Sequence, residues 1–134
     1  MACFLVPVAE AVVATVATKA VKAKEPAPAE IKIDTGALPT TAKLPFSQKL
    51  KWLTNMLWGG SALLAFEHVW HGEVVPWFPF LTAASDPAEA AVMLQEMATV
   101  GTSMALLITA VWGGMLLVTN AMEKQVLQAP PAVN

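Results

Sequence analysis

Three long apolar stretches alternate with polar segments along this 134-residue chain. The clearest stretch, residues 97–121, holds no charged side chain and is closed by Glu96 and Glu123. Residues 52–70 form a second stretch, and residues 1–18 form a third. A helix needs roughly 20 apolar residues to cross the hydrocarbon core of a bilayer. The pattern therefore predicts an all-α integral membrane bundle of three transmembrane helices.

The first helix, predicted over residues 1–22, has two possible positions. Its apolar part is short and contains Glu10, and Lys19 and Lys22 follow it. A signal peptide carries its positive charge before the apolar run, so we interpret this segment as a retained one. A short helix of this composition either crosses the bilayer or lies in its interface.

Residues 87–122 are predicted to form one long third helix. Asp86, Pro87 and Glu89 have the chemistry of a helix start, with a capping acid, a proline at the first position and an acid in the first turn. Roughly 35 helical residues give about 50 Å, whereas the hydrocarbon core is about 30 Å thick. We therefore expect its first turns to extend past the outer face of the membrane.

The remaining segments are a linker, the second helix, a loop and a C-terminal tail. Residues 23–47 contain four prolines and predict an irregular cytoplasmic linker. Residues 48–72 are predicted to form the second helix, and residues 73–86 an apolar loop that lies at the outer interface. Residues 123–134 are predicted to form a cytoplasmic tail.

The lysines predict the orientation of the bundle. Seven of the eight lie between the first two apolar stretches, and the eighth follows the third. The connection from residue 72 to residue 96 holds acids and no lysine. The positive-inside rule then places the N-terminus outside and the C-terminus in the cytoplasm. We expect the protein to lie in a bacterial cytoplasmic membrane.

Composition excludes several classes of function. The chain is 56% hydrophobic and 13% charged, against roughly 25% charged in a typical soluble domain. It has no arginine and a net charge of −2, which argues against a nucleic-acid partner. Its single cysteine, Cys3, excludes an intramolecular disulfide.

Since the chain has no phosphate-binding loop, nucleophile elbow or catalytic triad, we do not expect an isolated enzyme. The expected partners are the lipid bilayer and either further copies of the chain or a larger membrane complex.

Small residues predict how the helices pack. A Trp-Gly-Gly motif occurs in both the second and the third helix, and small residues recur every four positions in the third. Small side chains let helix backbones approach closely in lipid. We expect the two glycine pairs to face each other, with packing either within one chain or between chains. The predicted packing residues are Gly59, Gly60, Gly101, Ala105, Thr109, Gly113 and Gly114.

Both histidines of the chain, His68 and His71, lie near the end of the second helix beside Glu67. At about 100° per residue, these three side chains share one helix face. Imidazole and carboxylate are ordinary ligands of zinc, iron and manganese. Haem ligation and proton relay are alternatives, and so is a hydrated cluster that only ends the helix. The candidate metal ligands are Glu67, His68, His71, Glu10, Glu73 and Glu96.

Two hypotheses for the function follow. In the first, the chain is an accessory or assembly subunit that works by packing through its small-residue faces. In the second, the Glu/His cluster binds a metal or redox centre, or relays protons, at the outer leaflet.

Overall fold

The computed structural model describes residues 2–26 and 44–128, and over these ranges the chain is all-α, as predicted. A single antiparallel bridge joins Val74 to Leu81, and the described residues contain no strand. Most of the predicted linker and the end of the predicted tail (residues 27–43 and 129–134) lie outside them. The helices are α1 (Leu5–Lys24), α2 (Phe46–Trp70), α3 (Pro87–Glu96) and α4 (Thr102–Gln128).

The last two helices form one continuous rod. A π-helical turn, Met97–Gly101, joins α3 to α4. Pro87–Gln125 is the one helix in the described ranges that is long and apolar enough to cross a membrane. Only 11% of its most apolar part is buried inside the protein. Most of its apolar surface is therefore open to whatever surrounds the chain.

α1 and α2 are not apolar enough over their length to qualify as membrane-spanning helices by composition. α1 carries Glu10, Lys19 and Lys22 within a single membrane thickness. The apolar part of α2 is interrupted by glycines and by polar side chains. Length and composition therefore support one of the three predicted spans.

The start of α3 follows from local chemistry. The Asp86 carboxylate accepts hydrogen bonds from the backbone N–H of Ala88, at 2.7 Å, and of Glu89, at 3.4 Å. Pro87, which has no N–H to lose, occupies the first helical position. The predicted helix start is confirmed.

α1 and α2 pack against each other in antiparallel directions. The Phe4 ring meets the His68 ring at one end, and the Ser47 hydroxyl donates to the Glu25 carboxylate at the other. Between these ends, a small core contains fully buried Leu57. Its other buried members are Ala11, Ala14, Leu50 and Leu53.

α4 runs parallel to α1 and antiparallel to α2. Gly101 approaches Cys3 near the start of α1, whereas Asn120 bonds Lys49 near the start of α2. We name the two ends of the bundle by these contacts. The histidine end holds Phe4, His68 and Gly101, and the lysine end holds Glu25, Lys49 and Glu123.

Part of the predicted small-residue stripe packs on α1. A Cβ atom added to Gly101 would lie 2.8 Å from the Cys3 carbonyl oxygen, so the two backbones touch there. Ala105 is buried, and the Thr109 hydroxyl contacts Glu10. α2 approaches α4 at Gly60, where an added Cβ would lie 3.4 Å from Ile108.

The two Trp-Gly-Gly motifs do not face each other within one chain, so this form of the packing prediction is wrong. A Cβ added at Gly59, Gly113 or Gly114 would meet nothing within 4 Å. Large side chains occupy the α2-facing side of α4 instead. Ile108 lies against Gly60, and the Trp112 indole N–H donates to the Lys49 carbonyl at 2.8 Å. Packing of these glycines between chains stays a prediction.

The connection between α2 and α3 is folded and presents aromatic side chains. Val75 N–H donates to the Phe80 carbonyl at 2.8 Å, and Phe80 N–H donates to the Trp77 carbonyl at 2.7 Å. Trp77, Phe78 and Phe80 are all exposed. This exposure fits the predicted apolar interfacial loop.

Glu25 makes the stability of the lysine end depend on pH. The Ser47 hydroxyl, assisted by backbone N–H donors, lowers the pKa of this half-buried carboxyl below its ordinary value of 4.5. Its stabilising contribution is therefore present above pH 4.5 and is lost as the pH falls through the folded-state pKa. We expect wild type to lose more stability than Glu25→Gln on acidification, measured by denaturant unfolding. Equal losses would contradict this assignment, and Ser47→Ala should reduce the acid sensitivity as well.

Candidate functional site

His68 is the most enclosed ionisable side chain at the histidine end. It is 6% exposed, and its ring packs edge-on against Phe4 with centroids 5.3 Å apart. Its Nδ1 lies 2.6 Å from the Leu64 carbonyl oxygen. A carbonyl only accepts, so Nδ1 carries the hydrogen and Nε2 is the acceptor of the neutral ring.

Two glutamates, Glu67 and Glu73, lie close to the histidine rings. His68 Nε2 is 3.7 Å from a Glu73 carboxylate oxygen, and His68 Nδ1 is 3.6 Å from Glu67. His71 Nε2 is 3.8 Å from Glu67. These separations exceed hydrogen-bond length. The cluster is therefore a group of neighbouring imidazole and carboxyl side chains at the end of α2.

The predicted metal ligands are only partly brought together. Glu67, His68, His71 and Glu73 lie near one another. Among the described residues, no hydrogen bond or ion pair joins Glu10 or Glu96 to the histidines. In the part of the chain that the structure describes, no group of three His, Cys, Asp or Glu side chains could hold a metal ion. The six-residue metal set is therefore not supported.

The end of α2 explains why the two histidines separate. The helix ends at Trp70, and Gly72 has a φ of 73°, the left-handed conformation that commonly follows a helix. His71 is thus already outside the regular helix and its side chain is 63% exposed, whereas His68 points toward α1. Both histidines still lie within 4 Å of Glu67, and they differ in exposure.

Glu10 lies in a different layer of the bundle. Phe4 marks the level of His68, and Glu10 is six residues further along α1, roughly 9 Å along the helix axis. One Glu10 carboxyl oxygen is 2.5 Å from Thr109 Oγ1 on α4. The Glu10 carboxyl therefore bonds between helices, away from the histidines.

Lys49 forms a buried polar contact that the sequence reasoning missed. It is 5% exposed, and its Nζ donates to Asn120 at 2.7 Å and lies 3.0 Å from a Glu123 oxygen. Its position four residues before Leu53 on the buried face of α2 is a signal that could have shown this contact. The lysine was used only to orient the chain.

A surface cavity of about 390 Å³ lies beside the histidine end. Glu73 and Glu89 supply its carboxylates and Thr82 its hydroxyl, and the remaining lining is apolar. The sequence has no lysine or arginine between Lys51 and Lys124, so this end of the bundle is acidic.

Comparison with known proteins gives no relative: no family model, no curated protein and no solved structure matches this chain.

Proposed function

We propose that the chain is a small integral membrane protein that acts as an accessory or assembly subunit, packing its exposed apolar helix faces against further helices. One observation carries this proposal: Pro87–Gln125 is long and apolar enough to span a bilayer, yet only 11% of its most apolar part is buried. A water-soluble fold would cover such a helix. Lipid and neighbouring helices cover it here.

The helix directions support three spans with the lysine end in the cytoplasm. α2 runs antiparallel to α1 and to α4, so a bilayer that α4 crosses also meets the other two helices. Lys24 and Lys49 then fall on one side, and the acidic cavity falls on the other. The positive-inside rule makes the lysine side cytoplasmic. A bacterial cytoplasmic membrane is the location that we propose.

The exposed faces of α2 and α4 have the character of helix-packing surfaces. Gly59 and Gly114 have open space where a side chain would stand. Asn55, one turn before Gly59, is exposed as well. An amide has no partner in lipid, whereas a neighbouring helix offers one. We take copies of this chain as the first partner to test.

We expect Gly114→Leu and Gly59→Leu to shift the assembled protein toward smaller species. The added side chain fills the space in which another helix would approach, and its Cβ meets no atom of the same chain within 4 Å. Oligomer size is measured by chemical cross-linking in native membranes and by native mass spectrometry. Ala9→Leu, at an exposed position of α1, is the matched control.

The same membranes test the location of the protein. An integral protein remains in the pellet after alkaline carbonate extraction, whereas a peripheral or soluble protein is released. A monomeric wild type in native membranes would rule out self-assembly. Release by carbonate would rule out the membrane proposal itself.

A further inference from the structure

We propose that Glu10 is a proton-binding carboxyl at the middle of the bilayer. This inference rests on the membrane location in the proposed function. Thr109, which contacts Glu10, lies thirteen residues after Glu96 and fourteen before Glu123, at the centre of the uncharged stretch of α4. An ionisable group at this depth is costly and is usually functional.

The single hydroxyl hydrogen of Thr109 faces two oxygen atoms. Thr109 Oγ1 has one hydrogen but two oxygen neighbours, the Ala105 carbonyl at 3.0 Å and the Glu10 carboxyl at 2.5 Å. Both contacts are hydrogen bonds when the Glu10 acid donates to Thr109 and Thr109 donates to Ala105. After Glu10 loses its proton, the Thr109 hydroxyl turns and donates to the carboxylate. One hydroxyl rotation thus accompanies the release of one proton.

No counter-charge faces Glu10 from the helices packed around it. The π-helical turn and α4 have no ionisable residue between Glu96 and Glu123, and α2 has none between Lys51 and Glu67. On α1 itself the nearest ionisable residues are Cys3 and Lys19. A Glu10 carboxylate at this depth would therefore have no oppositely charged partner on these helices.

A second hydroxyl lies at the same level on α2. The contacts of Phe4 with His68 and of Thr15 with Trp58 place Ser61 level with Ala11, next to Glu10 along α1. Ser61 is 2% exposed, and its hydroxyl has no hydrogen-bond partner in the described residues. Buried hydroxyls are rarely unpaired. This level of the bundle therefore holds one hydroxyl that bonds Glu10 and a second, on α2, that has no hydrogen-bond partner among the described residues.

The test is labelling of native membranes with dicyclohexylcarbodiimide, an apolar reagent that adds to protonated carboxyls within lipid. The carboxylic acid adds across the carbodiimide bond and rearranges to an N-acylurea, so every atom of the reagent stays on the protein. We expect one adduct per chain, mapped to Glu10 by mass spectrometry, and a labelling rate that falls as the pH rises. Glu10→Gln, whose amide still bonds Thr109, should lose the adduct.

Two further comparisons separate the proposal from a structural role. Thr109→Val removes the hydroxyl and should shift the pH profile of labelling, which a carboxyl that only packs would not show. A water-soluble carbodiimide should label exposed Glu89 and leave Glu10 unlabelled. Absence of the adduct in carbonate-resistant protein overturns the proposal and leaves the membrane assignment standing. Labelling of Glu10 by the water-soluble reagent overturns it as well.

Discussion

Gly101→Val is expected to lower the free energy of unfolding by about 1–3 kcal/mol, the usual cost of forcing extra atoms into a packed contact. An added Cβ would lie 2.8 Å from the Cys3 carbonyl oxygen and 3.0 Å from a methyl carbon of Val6. The first neighbour is backbone, so it moves only if the start of α1 moves with it. The substitution should therefore loosen α1 from α4 at the histidine end.

Gly114→Val is the matched control for this experiment. It makes the same chemical change inside the same helical rod, but its Cβ meets nothing within 4 Å. Both variants replace glycine by valine within the helical rod, so their difference reports mainly the contact with α1. Stability is followed by the loss of helical circular dichroism during denaturant titration of the monomer in detergent. Equal unfolding midpoints for the two variants would contradict the close approach at Gly101.

Local chemistry explains the parts of the fold that the sequence could predict. Asp86 and Pro87 specify a helix start through groups within three residues of each other, and the uncharged run from residue 97 to residue 121 requires a long apolar helix. The rotation of that helix was not predictable in the same way. It depends on whether Trp112 or Gly113 faces α2, and the indole bond to the Lys49 carbonyl favours Trp112.

In the candidate site too, contacts within one helix could be predicted from the sequence, whereas contacts between helices could not. The proximity of Glu67 and His68 follows from neighbouring positions in one helix. The grouping of Glu10 with the histidines required the register between α1 and α2, which is set by contacts such as Phe4 with His68 and Thr18 with Thr54. Periodicity within one helix contains no such information. The sequence therefore indicates that Glu10 is notable, but it does not give the level of the bundle at which Glu10 lies.

Lys49→Met is expected to have the larger effect, a loss of about 3–5 kcal/mol, which is typical when one partner of a buried ion pair is removed. Methionine keeps the length of the side chain and removes its charge. Glu123, whose side chain is 14% exposed, would then lose the cation 3.0 Å away. Asn120 would lose its donor as well. The effect should appear as a lower midpoint in denaturant titration.

A double-mutant cycle separates the ion pair from simple loss of packing. Glu123→Gln alone should also destabilise the protein, because it leaves the Lys49 ammonium buried without its anion and weakens the bond from Leu44 N–H to Glu123. The double variant leaves no unpaired buried charge, so its loss should be smaller than the sum of the two single losses. Lys51→Met, at an exposed position on the same helix, should have almost no effect. Additive losses in the cycle would show that Lys49 stabilises the lysine end through packing of its side chain and not through Glu123.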